Sequence, residues 1–160
     1  MATNCRIRVI LDEKDRNRDM KFVPNEKQSE DLLKEPWDDE NREGCWNTVN
    51  AGGKEALIIC HHFDGFVNGV GETLYKEYNS YQEALNLVLG GDVSTIIGSY
   101  TPYAIREGED WDSICPVAVD ESYSSDNEEY EYMFKNGKWF VRIFYKSNKW
   151  EPLVKFIKKK

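Results

Sequence analysis

The chain has 160 residues, the usual size of one domain, and it carries a formal net charge of −8 at pH 7. Hydrophobic residues make up 40% of it and aromatic residues 13%, which is enough to build a packed core. The acidic balance argues against non-specific binding to DNA, RNA or anionic membrane, because contacts with phosphate need clustered Lys and Arg. We expect a single domain over residues 1–160, with no direct contact to nucleic acid or membrane.

The cysteines are scattered along the chain and form no Cys-x-x-Cys pair. They are Cys5, Cys45, Cys60 and Cys115. Zinc fingers and ribbons need closely spaced ligand pairs, so this pattern does not favour a zinc site. The polar beginning and the lack of a long apolar run predict neither a signal peptide nor a membrane span. These features are typical of a cytosolic protein with reduced thiols.

The first third of the chain predicts one strand and a long polar segment. The strand covers residues 4–11, where side chains alternate between two faces. One face carries Ile7, Val9 and Leu11, and the other face carries Arg6, Arg8 and Ile10. The polar segment at about 12–53 is expected to be an insertion or long loop, with a short helix over 28–35 capped by Ser29. Its expected core residues are only Phe22, Trp37 and Trp46.

The middle of the chain predicts a strand and two helices. Residues 54–63 form the strongest candidate for a central strand, because their apolar run lacks polar alternation and both faces should be covered. A helix over about 68–78 follows. The second helix begins with a capping box from Ser80 to Glu83, in which each side chain satisfies a free backbone N–H, and it ends at the glycine pair before Asp92.

The clearest local signal is a β-hairpin over residues 129–144. Its Asn136-Gly137 pair suits a two-residue type I′ turn, and that turn sets the register. The predicted cross-strand pairs are Phe134–Trp139, Tyr132–Val141 and Tyr130–Ile143 on one face, and Met133–Phe140 and Glu131–Arg142 on the other. We expect an α+β fold, in which an antiparallel sheet of these strands carries two helices packed on one face.

Residues 61–74, HHFDGFVNGVGETL, contain both histidines of the chain. On a strand, Cys60, His62 and Asp64 share one face, and such a set could supply metal ligands or a His–Asp general base. Adjacent strand residues seldom converge on one ion, and no Ser or Cys lies in a nucleophile context. The simpler interpretation is that His62 bonds to Asp64 or to a backbone carbonyl and shapes the bend that follows.

Three glycines in this stretch invite a phosphate-loop interpretation. A strand, a glycine turn and a helix can present free N–H groups to an anion, but Gly65, Gly69 and Gly71 do not have the GxGxxG spacing. The alternative is geometric: Gly65 allows a positive φ, while Gly69 and Gly71 let the helix begin close to the sheet. We favour the geometric interpretation, and the anion site stays open.

Asp92 and Trp111 are the remaining candidate residues. Asp92 is most simply the end of the second helix and the beginning of a short strand. Trp111 lies in an acidic loop, where it could anchor a partner, although packing in the core is the simpler role. The acidic runs at 107–112 and 120–129 predict solvated loops or a surface that imitates phosphates.

Residues 62–74 resemble the signature His-Trp-Asp-Gly-Tyr-Pro-x-x-Val-Gly-x-x-Leu of a family of small uncharacterised proteins from tailed phages and prophages. The chain departs from the signature at Phe63, Phe66 and Val67. The likeness covers roughly residues 1–11 and 55–145. It implies a phage product that acts in the bacterial cytoplasm, without an established activity.

On this basis we expect a non-enzymatic binding protein that inhibits or sequesters a host defence component. Its partner would be a host protein or a nucleotide-type small molecule, and no cofactor or metal is expected. The expected binding residues are His62, Phe63, Asp64, Gly65, Phe66, Gly69, Gly71, Asp92 and Trp111. Two alternatives remain open: an acidic mimic of nucleic acid that blocks a host enzyme through Glu109, Asp110, Glu128 and Glu129, and a small hydrolase that uses His62 and Asp64.

Overall fold

The computed structural model describes residues 4–34, 47–102, 111–123, 129–144, 146 and 149–157. Its strands are β1 (Cys5–Ile10), β2 (Ala56–His61), β3 (Val93–Thr95), β4 (Thr101–Pro102), β5 (Val117–Val119), β6 (Tyr130–Lys135), β7 (Lys138–Ile143) and β8 (Glu151–Pro152). Its helices are α1 (Glu26–Lys34), α2 (Glu72–Glu77), α3 (Tyr81–Leu89) and α4 (Trp111–Ile114). A π-helical turn covers Val67–Gly71, and short 3₁₀ turns cover Glu13–Asp15 and Leu153–Phe156.

The strands form one mixed sheet in the order β4-β3-β2-β1-β6-β7-β8, and β5 also pairs with β2. The α+β class is confirmed, but the prediction of an antiparallel sheet is wrong for two strand pairs. β2 and β3 are parallel because helices α2 and α3 carry the chain back across the sheet between them. β1 and β6 are also parallel, and their pairing joins distant segments for which the sequence holds no local signal.

The main core lies on the face of the sheet that helices α2 and α3 cover. It includes Ile7, Val9, Leu57, Ile59, Leu74, Leu85 and Val88. β2 is covered on its opposite face as well, where Ala56 and Ile58 pack with Val119 of β5. The prediction that both faces of this central strand are buried is therefore confirmed.

The polar segment contributes more to the core than its composition predicts. Met20, Phe22, Val49 and Ala51 are all buried there, and Met20 and Val49 exchange backbone hydrogen bonds of 2.8 Å. The burial of Phe22 confirms its prediction as a core residue, but the burial of Met20, Val49 and Ala51 was not predicted, because single apolar side chains separated by polar ones produce no periodic signal. The predicted core residues Trp37 and Trp46 lie outside the described residues.

Helix α1 begins earlier than its predicted cap. The N–H of Gln28 donates to Asn25 Oδ1 at 2.8 Å, and the N–H of Asn25 donates to Gln28 Oε1 at 3.0 Å. This reciprocal pair caps the helix, so the prediction of Ser29 as the cap was wrong, and Ser29 lies inside the helix. At α3 the Ser80 half of the predicted capping box is confirmed, since the N–H of Glu83 donates to Ser80 Oγ at 3.2 Å, whereas the Glu83 carboxylate accepts from the Ser80 hydroxyl at 2.8 Å.

The C-terminal hairpin, β6 and β7, has the predicted register at every one of the five predicted pairs. Asn136 has φ of 52° and Gly137 has φ of 80°, the two positive values that a type I′ turn requires. Local turn chemistry and cross-strand pairing agree here, so the sequence alone was sufficient to place every side chain on its face.

A charged cluster lies on the face of the sheet opposite the main core. The arginine cluster consists of Arg8 on β1, Glu131 on β6 and Arg142 on β7. Glu131 Oε2 accepts from Arg8 Nε at 2.5 Å, and Glu131 Oε1 accepts from Arg142 Nη2 at 3.0 Å. Arg8 is 1% exposed and Glu131 is 0% exposed, so the shared carboxylate neutralises guanidinium charge that has been removed from water.

We expect Glu131→Gln to lower the free energy of unfolding by about 3–5 kcal/mol, because it leaves buried guanidinium charge without this carboxylate. The matched control is Glu77→Gln, which breaks the exposed pair between Glu77 and Lys27. That change should alter stability by less than about 1 kcal/mol. Urea unfolding of both variants measures the difference, and equal losses would contradict a structural role for the cluster.

Candidate functional site

The candidate site is the corner, residues 62–71, where the chain leaves β2 and enters the helices. Pairing with β3 continues past the end of β2, since the N–H of His62 donates to the carbonyl of Val93 at 3.1 Å and that of Phe63 to Ser94 at 3.2 Å. The N–H of Val70 then donates to the carbonyl of Asp64 at 3.1 Å and closes the corner on itself. The backbone of the corner is thus held at both of its ends.

The left-handed residue of the corner is Asp64, with φ of 55°. The prediction assigned the positive φ to Gly65, and that was wrong; Asp tolerates this conformation better than most residues with a side chain. Gly65 is buried instead, and its carbonyl accepts a hydrogen bond of 2.7 Å from the hydroxyl of Tyr132 on β6. This bond ties the corner to the sheet.

The other two glycines permit close packing, as predicted. A Cβ on Gly69 would lie 2.4 Å from the carbonyl oxygen of Asp64, a separation that real side chains do not adopt. A Cβ on Gly71 would lie 3.3 Å from both Leu153 and Tyr132. The predicted helix over 68–78 is instead a π-helical turn followed by α2. Single π turns of this kind occur frequently at functional sites.

The two histidines have different environments. His61 is 0% exposed, and its Nε2 accepts a hydrogen bond of 3.0 Å from the N–H of Ile96. Burial lowers the pKa of His61 to about 3, so its ring is neutral at neutral pH. His62 is only half-buried, and its ring meets Phe63 edge-on with centroids 4.5 Å apart. His61 therefore shapes the structure, and His62 is the histidine at the surface.

Asp92 is hydrogen-bonded to β2, and Trp111 packs against the main core. Asp92 Oδ1 accepts from the N–H of Cys60 at 2.9 Å, and burial raises the pKa of Asp92 to about 6. The predicted start of a strand after Asp92 is confirmed by β3. Trp111 packs against the main core, and its ring atom Cζ3 would lie 3.0 Å from a Cβ on Gly91. Its contacts are those of a packing residue.

The surface of the corner is aromatic. Phe63 is 43% exposed and Phe66 is 37% exposed, although both side chains are large and apolar. Phe66, Val67 and Asn68 also line a cavity of about 320 Å³, whose far side contains Tyr130, Ile143, Lys146 and Phe156. The Nζ atom of Lys146 lies 5.8 Å from the ring centre of Phe156. The corner thus presents apolar rings with an amide and an ammonium group at their edge.

Within the described ranges, no three or more His, Cys, Asp or Glu side chains come together as metal ligands, and this includes Cys60, His62 and Asp64. None of the helices in the described part of the chain is long and apolar enough to cross a membrane.

A scan against protein-family models, a search of curated proteins and a search of solved structures found no match to this chain. The resemblance to the phage family therefore stays a prediction.

Sequence reasoning missed His61 and Tyr132, which hold the corner in place. The alternation along β2 puts His61 on the same face as Leu57 and Ile59, and this pattern was the signal for its burial. Tyr132 carried no comparable signal, because its bond to Gly65 joins positions 67 residues apart. Long-range contacts of this kind depend on the pairing of strands.

We expect Gly69→Ala to destabilise the fold by about 2–3 kcal/mol, because the new Cβ meets a backbone oxygen that the corner holds in place. The matched change Gly71→Ala should cost less than about 1.5 kcal/mol, since its new Cβ would come no closer than 3.3 Å to its neighbours, against 2.4 Å for Gly69. Thermal and urea unfolding of the two variants compares them. If Gly69→Ala lowered the free energy of unfolding less than Gly71→Ala does, that result would contradict the close packing described for Gly69.

His61 and Asp92 should give the folding stability opposite dependences on pH. The folded pKa of His61, about 3, lies below the ordinary 6.5, so the stability that it contributes is present above pH 6.5 and is lost as the pH falls toward 3. The folded pKa of Asp92, about 6, lies above the ordinary 3.8, so its contribution is present below pH 3.8 and is lost as the pH rises through 6.

Single variants separate these two effects. Relative to the unmodified protein, His61→Gln should gain stability as the pH falls from 6 to 4, by roughly 1 kcal/mol per pH unit. Asp92→Asn should lose relative stability over the same interval, to a similar extent. Urea unfolding at several pH values measures both differences, and differences that do not change with pH would contradict the assigned environments.

Proposed function

We propose that the protein is a phage-encoded, non-enzymatic binding protein that inhibits or sequesters a host defence component, with the corner as its contact surface for a host protein. The observation that carries the proposal is the exposure of Phe63 and Phe66 on a backbone that is already fixed. Large aromatic side chains dominate the energetics of protein interfaces. A partner that covered these two rings would gain the free energy of removing them from water.

The rigidity of the corner supports binding. Tyr132 and Val70 hold the carbonyls of Gly65 and Asp64, and Gly69 leaves no space for the turn to shift. A surface that is ordered before binding avoids the entropy loss that a flexible loop would incur. The stretch that resembles the phage signature is the stretch that builds this corner, although the exposed Phe63 and Phe66 are two of the positions where the chain departs from that signature.

The net charge of the chain suits a basic partner. At −8, the protein would attract a positively charged surface and accelerate the encounter with it, most strongly at low salt. This long-range attraction is a property of the whole molecule and needs no particular acidic residue. Contact through the corner would then provide most of the affinity, since rim charges mainly affect the association rate.

The two alternative functions stay hypotheses. A hydrolase would have to rely on His62, because His61 is buried, its Nε2 already accepts from the N–H of Ile96, and burial lowers its pKa to about 3, which makes it a weak base. The acidic mimic depends on four residues of which only Glu129 lies among the described residues, and Glu129 is exposed. Neither alternative explains why two phenylalanines of the corner are in contact with water.

The proposal is tested by affinity capture from extract of the bacterial host, followed by mass spectrometry. We expect Phe63→Ser/Phe66→Ser to reduce the captured partner about tenfold or more, because each ring acts as an anchor. The control Val23→Ser/Val117→Ser changes two other exposed apolar side chains and should leave capture unchanged. Melting temperatures show that the variants fold. Equal capture by all three proteins, or the lack of any specific partner, would refute the proposal.

A further inference from the structure

A second cavity lies on the opposite face of the sheet, over the arginine cluster. Its volume is about 730 Å³, in the range of pockets that hold small molecules. Its lining includes Tyr123, Met133, Lys135, Phe140, Arg142 and Trp150. None of these residues belongs to the corner, so any ligand of this cavity would be independent of the host-protein contact proposed above.

Aromatic rings surround the guanidinium groups at the base of this cavity. The ring centre of Trp150 lies 5.7 Å from Arg8 Cζ and 4.8 Å from Arg142 Cζ, so one indole covers both charges. The ring of Tyr123 lies 5.9 Å from Arg8 Cζ, and that of Phe144 lies 4.6 Å from Arg142 Cζ. Cationic groups among flat apolar rings suit a ligand that is itself flat and anionic.

The charges of the cavity differ between its base and its rim. At the base, Glu131 divides its two oxygens between Arg8 and Arg142, so neither guanidinium has this carboxylate to itself. At the rim, Lys135 Nζ donates to Glu121 Oε2 at 2.6 Å. The acidic Glu55 and Glu121 also line the cavity, and they would repel an extended polyanion such as a nucleic acid. Of the two guanidinium groups at the base, Arg142 is the one that a small anion would meet, since its side chain is 12% exposed and that of Arg8 is 1% exposed.

We propose that this cavity binds a small molecule in which a planar ring is joined to a carboxylate or phosphate group. The anionic group binds Arg142 and Lys135, since a guanidinium fork matches the oxygens of either group. The ring packs against Trp150 and Tyr123. Stacking on an aromatic side chain combined with a charge-assisted hydrogen bond makes recognition depend on both parts of the ligand.

Titration calorimetry on the full chain tests the proposal with defined probes. Indole-3-carboxylate and adenosine 5′-monophosphate carry both a ring and an anion, and they distinguish the carboxylate from the phosphate. Indole and adenosine carry only the ring, while acetate and inorganic phosphate carry only the anion. We expect at least one of the complete probes to bind about tenfold more tightly than either of its fragments, which corresponds to about 1.4 kcal/mol.

Variants of the lining residues locate the binding. Arg142→Lys keeps the charge but removes the fork, and it should weaken binding of the complete probe about tenfold. Tyr123→Ser changes a side chain that is 44% exposed, so it should preserve the fold while it weakens binding about threefold to tenfold. The control is Lys138→Gln. Lys138 lies at the exposed beginning of β7, outside the cavity lining, so this change should leave the affinity for the probe unchanged.

The variant Phe63→Ser/Phe66→Ser separates this inference from the proposed function. It should bind the probe as well as the unmodified protein does, because its substitutions are confined to the corner. The inference is overturned if no complete probe binds, if the fragments bind equally well, or if Arg142→Lys and Tyr123→Ser both retain full affinity. If Phe63→Ser/Phe66→Ser folds normally but no longer binds the probe, the ligand does not bind in this cavity, and the inference is overturned as well.

Discussion

The parallel pairing of β1 with β6 is the constraint on which both surfaces depend. It joins the N-terminal strand to the hairpin and puts Arg8 within reach of Glu131 on one face. It also brings Tyr132 of β6 to the corner on the other face, where its hydroxyl holds the carbonyl of Gly65. Since β1 also pairs with β2, one strand aligns the hairpin with the corner.

The two faces of the sheet are stabilised by different physical means. The face under α2 and α3 is an apolar core, where burial of large side chains supplies most of the stability. The opposite face combines a small apolar cluster with buried ionic groups, which contribute little net stability but are costly to break. The corner presents exposed phenylalanine rings, whereas the cavity on the opposite face combines aromatic rings with cationic groups.

Local chemistry was sufficient to predict several elements correctly. The Asn136-Gly137 turn set the hairpin register, and the Ser80 cap marked the beginning of α3. The corner itself was located from its glycines, but its left-handed residue was misassigned to Gly65, since composition does not show which residue of a bend takes the positive φ. Asp64 takes it, and its carbonyl accepts from the N–H of Val70 within the corner.

The sequence by itself determined strands β1, β2, β6 and β7, the hairpin turn, the capped helix α3 and the position of the corner, because each depends on residues that are close together in the chain. Only the tertiary structure decided the parallel pairs, the burial of Met20 and Val49 in the core, and the meeting of Arg8 with Arg142 over one carboxylate. These contacts join residues that are far apart in sequence. Alternation of polar and apolar residues shows which side chains of a strand share a face, but it does not show which other strands pair with it.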